Sequence, residues 1–511
     1  MDGNLGDILR RRAWTTPDAE AVIDLASGVR ENYRGLNARV NAAAHGLTAL
    51  GVKPGDRVAL LCLNGIEFVD CYFAAAKLGA VIVPLNWRLT APELTFILKD
   101  CGAKVLVFGS AFGEVVEAIQ AAGDQTDLAS FVEIGETAAW ATPYTRAIDP
   151  TQTHEPPTTP GNDEPLTIVY TSGTTGLPKG VVHTHRTAIN GILNVLATIE
   201  LTQSDRYLLV LPLFHVGAST PMLSHLYRGG ALVLMAQFDP AKMWQVIEDE
   251  RITKTLAVPA MLNFMLQVPG FQDHDLSSLH SILSGASPVP VELIRKYHAM
   301  GIEIHQVYGM TETFGPGCFL GGDQAEARAG STGRGYMLTD VRLVDEEDND
   351  VPPGTPGQVI MRGAHNMIGY WNRPDATAET IRNGWLYSGD IGIADADGYI
   401  TIHDRVKDMI ISGGENVYPA EIENVLIGFP GIVDVAVIGQ QSERWGECPL
   451  AVVVPKDQEV TQADIMAHCQ GKLARYKQPK GVVFVDEIPR NATGKPLKRV
   501  LRDQFPGPEP E

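Results

Sequence analysis

Between residues 57 and 108 the chain alternates apolar runs too short for a helix with longer stretches whose apolar positions recur at helical spacing. The pattern predicts a strand at 58–62, a helix at 67–78, a strand at 81–83, a helix at 92–100 and a strand at 105–108. Strands alternating with helices build a parallel sheet covered on both faces. The helix ends carry their own signals: Thr90 stands just before Pro92, and Gly79 and Gly102 stand where the two helices should stop. Residues 148–165 are rich in Pro, Thr and acidic side chains and predict an exposed connection. A second α/β layer follows, with helices at 187–199 and 241–250, strands at 207–211, 231–235, 255–258 and 281–284, and a strand at 301–306 leading into Tyr308. Beyond Gly330, apolar pieces at 341–344, 358–362, 391–394 and 399–402 alternate with Pro-Gly and Asp-Gly turns. They predict an antiparallel, β-barrel-like region. A charged break at 404–408 then opens a smaller pattern: helix 420–427, strands 433–438 and 450–454, helix 463–473 and strand 482–485.

With 511 residues the chain exceeds what one core can organise and divides into at least two domains. A formal charge of -20 argues against nucleic acid as a partner, so anionic ligands must be held by local groups. The six cysteines, Cys62, Cys71, Cys101, Cys318, Cys448 and Cys469, are scattered and form no CxxC pair, as expected of reduced thiols in a cytoplasmic protein. Residues 1–14 mix Asp2 and Asp7 with three arginines and predict no signal peptide; no uncharged apolar stretch is long enough to be a transmembrane segment.

The stretch Tyr170-Thr-Ser-Gly-Thr-Thr-Gly-Leu-Pro-Lys-Gly180 follows the apolar run 166–169. Its glycines let backbone N–H groups turn inward, its hydroxyls add donors, and Lys179 supplies a point charge, a combination suited to a polyphosphate. It is not a Walker A loop, because Pro178 occupies the place of the second required glycine and Gly180 follows the lysine. Further along stand Leu211-Pro-Leu-Phe-His215, Tyr308-Gly-Met-Thr-Glu312, Tyr387-Ser-Gly-Asp390, Asp404-Arg-Val-Lys-Asp408, Ile411-Ser-Gly-Gly-Glu-Asn416 and Asn491-Ala-Thr-Gly-Lys495.

This ordered set resembles the adenylate-forming superfamily of acyl-CoA synthetases, peptide-synthetase adenylation domains and beetle luciferases, and the resemblance covers nearly the whole chain. It implies an α/β fold with a large N-terminal domain of two α/β sheet subdomains plus the β-barrel-like region, 1–404, a hinge at 405–408, and a small mobile α+β C-terminal lid, 409–511. It implies ATP, Mg²⁺ and coenzyme A as cofactors or co-substrates and a small carboxylic acid as substrate. Thr171, Ser172, Gly173, Thr174, Thr175, Gly176 and Lys179 would hold the outer phosphates, with Thr171 and Glu312 placing the metal. Gly285, Ala286 and Ser287 would face Tyr308, Gly309, Met310 and Thr311 across the adenine, and Asp390 with Arg405 would take the ribose or phosphate. Lys495 would bridge the acyl carboxylate and the α-phosphate. Rotation about Lys407 would withdraw it and present Gly413 and Gly414 to the pantetheine arm. His215, Gly217 and Ala218 would line the acid pocket.

Without the family, other readings stand beside these: Glu312 as an exposed loop acid, Asp390 and Arg405 as a structural ion pair, His215 as a core histidine, and the basic residues around Lys495 as a solvated face. Lys472, Arg475 and Lys477 are candidates for the CoA nucleotide phosphates or a plain basic surface. The small residues around His215, 258–260 and 285–286 leave room for a long apolar tail. The segments 211–220, 258–271 and 408–423 look most like long-chain fatty acyl-CoA ligases, with an aryl-acid ligase and a luciferase-like oxidation of the adenylate as alternatives. A fatty substrate is compatible with peripheral membrane contact, and a homodimer with the family.

Overall fold

The computed structural model describes residues 4–136, 138–157, 161–171, 177–286, 289–405, 410–417, 419–456, 460–489, 496 and 498–507. Among the described residues the strands form four sheets, of nine, eight, five and five strands. The eight-stranded sheet contains the predicted strands as Arg57–Leu61, Val81–Pro84 and Ala103–Gly109, joined in parallel. Between them the helices run Ile66–Leu78 and Ala91–Cys101 and end on Gly79 and Gly102 at positive φ, 70° and 62°. Thr90 begins the second helix, its backbone N–H and its hydroxyl donating to Glu93 Oε2 at 2.8 and 2.7 Å.

The nine-stranded sheet is also parallel at its centre, through Arg206–Leu209, Ala231–Leu234, Lys254–Leu256, Ser281–Gly285 and Glu303–Tyr308. Two strands that the hydrophobic pattern did not reveal, Glu20–Asp24 and Arg30–Asn32, extend one edge of it. A layer of helices lies between the two large sheets: Tyr33–Ala49, Ile66–Leu78 and Val216–Arg228 contribute to one core with strand residues of both, such as Leu60, Val105, Leu209 and Leu232. Outer helices cover the far faces, Ala91–Cys101 and Gly113–Ala121 on one sheet and Pro240–Asp249 and Val291–His298 on the other. The Ile66–Leu78 helix is apolar almost all round because both of its sides meet a sheet. Truncating Phe73 at its centre would cost about 3–5 kcal/mol.

The turn-rich stretch beyond Gly330 forms the antiparallel sheet of Asp340–Val344, Pro356–Arg362, Trp385–Ala394, Ile381–Arg382 and Ile400–Arg405. The last sheet pairs Ile432–Ser442 with Gly446–Pro455 and adds Gly481–Phe484, Ile410–Ser412 and Glu415–Val417, with helices Pro419–Ile427 and Gln462–Cys469 against it. The latter helix stops at Cys469, short of the expected 473. The 148–165 connection is anchored more firmly than its composition suggests, because Glu155 accepts from the buried Lys77 at 2.7 Å and from Asn37 at 2.7 Å.

Candidate functional site

The phosphate-loop stretch is built as a hairpin. Strand Pro165–Thr171 runs antiparallel to Lys179–Thr184, with Thr171 opposite Lys179; Ser172, Gly173, Thr174, Thr175 and Gly176 between them lie outside the described residues. The returning strand was not legible in the sequence, because only its pairing with 165–171 distinguishes it from a loop. Beyond it comes Gly369–Tyr370, and the Tyr370 ring lies 5.2 Å from the Lys179 ammonium. The Tyr370 hydroxyl donates to Glu312 Oε1 at 2.8 Å. Glu312 is buried, so it is not an exposed loop acid. Thr171, Lys179, Glu312 and Tyr370 all face one cavity of about 750 Å³.

Gly285, at the end of Ser281–Gly285, and Ala286, held at φ 67°, form part of the same wall. A non-glycine residue in the left-handed region is an uncommon conformation that surrounding structure must enforce. Tyr308, Gly309, Met310 and Thr311 line the cavity nearby. A side chain at Gly309 would fall 1.5 Å from the Gly315 carbonyl oxygen, so the backbone turn into Glu312 closes only with glycine. Asp390 is buried one residue behind the wall formed by Ser388 and Gly389, and its Oδ2 accepts from the Tyr308 hydroxyl at 2.6 Å. Burial, with the Asp390 charge acting in the same direction, raises the Tyr308 pKa well above its usual range, so the phenol stays protonated. Asp390 is opposite Arg405 in the strand register, though the Arg405 side chain, like Ser287, lies outside the described residues.

A third segment reaches this cavity from the C-terminal sheet. Gly413 and Gly414 make the turn between Ile410–Ser412 and Glu415–Val417 at φ 59° and 81°. Added side chains would lie 2.9 Å from the Trp445 ring and 3.4 Å from Val258. The adjoining Glu415 is buried, accepts from His215 Nε2 at 3.1 Å and is paired with Arg88. Burial alone would raise the Glu415 pKa, but the facing imidazole and guanidinium hold it below the usual range. His215 therefore joins the two lobes on the cavity wall instead of sitting in the core.

Behind His215 the cavity follows helix Val216–Arg228, meeting Val216, Gly217, Thr220, Pro221, Ser224 and His225, a stripe with the four-residue repeat of one helix face. Ala218 is corrected from the acid pocket to the core: it lies off that stripe and packs fully buried. Lys477 is likewise corrected from a CoA-phosphate candidate. It is 3% exposed, and its ammonium is enclosed by Glu421 Oε1 at 2.7 Å and Glu93 Oε1 at 3.0 Å. Glu93 belongs to the N-terminal part of the chain and Glu421 to the C-terminal part, so this is a second junction between them. Lys472 keeps an exposed position near His468. Lys407 and Lys495 lie outside the described residues.

His183 and His185 have structural partners: His183 Nε2 meets the Thr311 carbonyl at 2.8 Å, and His185 Nδ1 accepts from the Leu5 N–H at 3.1 Å. Tyr370, Arg88 and Glu415 were missed as site residues. Glu415 sat within a recognised motif, whereas Tyr370 and Arg88 carry no local signal and are recruited by tertiary contact.

Comparisons with known proteins agree with this arrangement. Residues 9–371 match the AMP-binding enzyme family and residues 421–495 the AMP-binding enzyme C-terminal domain. Over 510 residues, 99% of this chain and 100% of the relative, the sequence is 45% identical to the long-chain-fatty-acid–CoA ligase FadD13 of Mycobacterium tuberculosis. It is 42% identical over 504 residues, 98% of this chain and 99% of the relative, to a feruloyl-CoA synthase of an Amycolatopsis species. Among solved structures, a double mutant of the o-succinylbenzoate CoA synthetase from Bacillus subtilis, bound with its product analogue, superposes with a TM-score of 0.85 at 29% identity over 98% of this chain and 99% of that one. The chain belongs to the AMP-binding enzyme family, among its AMP-forming acyl-CoA synthetases.

Proposed function

We propose that this synthetase ligates a medium- to long-chain fatty acid to coenzyme A. One observation carries the reading: a single cavity joins the Thr171–Lys179 hairpin, Glu312, the Gly413–Gly414 turn and an apolar channel along helix Val216–Arg228. In the first half-reaction the acid's carboxylate oxygen attacks the α-phosphorus of ATP, and pyrophosphate leaves. In the second, the CoA sulfur attacks the acyl carbon of the adenylate, and AMP leaves. Lys179 and the 171–176 turn neutralise the outer phosphates. Lys495 supplies a fixed cation between carboxylate and α-phosphate, which is electrostatic catalysis. Tyr308, oriented by Asp390, offers a ring face to the adenine, and Asp390 with Arg405 serves the ribose side. Thr171 and Glu312 put a hydroxyl and a carboxylate on the same wall, hard oxygen donors that fit Mg²⁺. The ion would offset phosphate charge.

Residues 1–404 would be the adenylating domain, 409–511 the lid, and 405–408 the pivot. The lid's position in this structure suits the second half-reaction, since the Gly413–Gly414 turn, bare of side chains, leaves a passage for pantetheine while Glu415 closes on His215 and Arg88. The superposition on a synthetase bound with its product analogue supports this assignment. The match to FadD13 supports the fatty acid; the feruloyl-CoA synthase match keeps an aryl acid as the second reading. Among the described residues no helix is long and apolar enough to cross a membrane, and we place the reaction in the cytoplasm. The test is pyrophosphate release across fatty, aryl and short acids, with acyl-CoA followed when CoA is added. Fastest turnover on a fatty acid and CoA-dependent thioester formation are expected; turnover confined to aryl acids would overturn the fatty-acid reading.

A further inference from the structure

The turn that presents Glu312 is held in a conformation its own residues do not favour. After the short 3-10 turn Thr311–Thr313 the chain passes through Phe314 at φ 55°, in the left-handed region, before Gly315 at φ 107°. A non-glycine residue stays there only where its surroundings enforce it, and such residues gather at functional sites. Several elements enforce it here. The Phe314 ring is fully buried, edge-on to the His183 imidazole at 4.9 Å, and so close to helix His185–Thr198 that a methyl on Gly191 would lie 2.7 Å from it. The Met367 N–H donates to the Glu312 carbonyl at 2.8 Å. The Phe314 carbonyl accepts from the Thr220 hydroxyl at 2.6 Å.

This last bond is out of the ordinary for its donor. A threonine within a helix can donate to the carbonyl four residues back, as Thr48, Thr95, Thr198 and Thr377 do in this chain. Thr220, in helix Val216–Arg228, instead reaches a residue 94 positions away. Thr220 and Gly315 both line the cavity, and a side chain on Gly315 would lie 3.3 Å from that hydroxyl, so the helix along the acid channel and the Glu312 turn meet directly. Without the hydroxyl, a buried carbonyl loses its donor at the strained residue, two positions from Glu312. The turn is then free to relax, and the carboxylate moves with it.

We propose that Thr220 is a positioning residue for adenylation: from the acid channel it holds the turn that aims Glu312 at the metal of MgATP. This rests on the reading of Glu312 as a Mg²⁺ ligand and names what keeps that ligand in place.

The experiment is calorimetry of ATP binding in the absence of acid, with Mg²⁺ and with EDTA, which gives the ratio of affinities due to the metal. Glu312→Gln should lower this ratio and sets its scale. Thr220→Ala should lower it by about tenfold, the effect of stripping a buried acceptor of its donor. Thr220→Ser, which returns the hydroxyl, should restore it. In pyrophosphate release, the KM for ATP should rise more than the KM for the acid in Thr220→Ala. Thermal midpoints identify folded variants, and Thr220→Val is a second hydroxyl-free variant should alanine fail to fold. A wild-type ratio in the folded hydroxyl-free variant, a serine variant as impaired as the alanine one, or a change confined to the KM for the acid would overturn the proposal. A ratio unmoved by Glu312→Gln would instead defeat the metal reading, and the proposal with it.

Discussion

Replacing Lys477 with Met should separate the two half-reactions. The ammonium is enclosed at 2.7 Å by Glu421 and at 3.0 Å by Glu93, and it joins the C-terminal part, the mobile lid of the proposal above, to helix Ala91–Cys101. Breaking a buried pair by removing one partner costs about 3–5 kcal/mol. The lower end applies here, because Glu421 can hold a proton once its cation is gone. About 3 kcal/mol corresponds to roughly a hundredfold shift in the equilibrium between lid positions. If both positions are comparably populated in the wild type, the position seen here falls to about one part in a hundred, while the alternative gains at most about twofold. In rapid-quench experiments, acyl-CoA formation from preformed acyl-adenylate should therefore slow by up to about a hundredfold in Lys477→Met. Pyrophosphate release without CoA should change by no more than about twofold. A matching thermal midpoint would show that the lid still folds. Equal loss in both half-reactions, or loss in neither, would refute the reasoning.

Burial pushes the Glu421 carboxyl up to about 7 against the pull of Lys477, with Glu93 adding to the rise. The docked lid thus retains a proton that an exposed carboxyl gives up near pH 4.5, so docking is fully favoured below that point and weakens as pH rises toward 7. Glu421→Gln should flatten the thioester-forming rate across this window; an unchanged pH profile counts against the assignment. Tyr308→Phe removes a donor from a buried carboxylate and should raise the KM for ATP by about tenfold with a smaller effect on kcat, measured by pyrophosphate release. A KM within twofold of wild type would exclude the Tyr308–Asp390 pair from nucleotide binding. Lys495→Ala should slow adenylation by about 10²–10³-fold while ATP still binds, as calorimetry can show; retained adenylation would remove Lys495 from the catalytic role.

What the sequence disclosed and what it withheld divide along the range of the interactions. Strands such as Arg57–Leu61 and Val81–Pro84, and the glycines that end the helices between them, are written in local apolar pattern and turn chemistry. The returning strand Lys179–Thr184 and the edge strands Glu20–Asp24 and Arg30–Asn32 acquire their identity only by pairing with distant chain. The same holds within the site. Glu312 and Tyr308 could be picked from motifs, whereas Tyr370 arrives from nearly sixty residues beyond Glu312 and Arg88 from over three hundred before Glu415. Lys477 looked like a surface cation because burial of a charge depends on where its counter-charges fold, and those are 56 and 384 residues away.

One carboxylate, Glu93, serves two structures at once: Oε2 ties the first turn of its own helix and Oε1 meets Lys477. If the 409–511 lobe swings away as proposed, the ammonium keeps Glu421 but must be rehydrated on the side that Glu93 leaves, the vacated Glu93 carboxylate must be rewetted, and that water must be shed again on return. Turnover is then coupled to water activity. Osmolytes excluded from protein surface should prolong the closed interval of each cycle and so tilt the partition of the adenylate toward thioester.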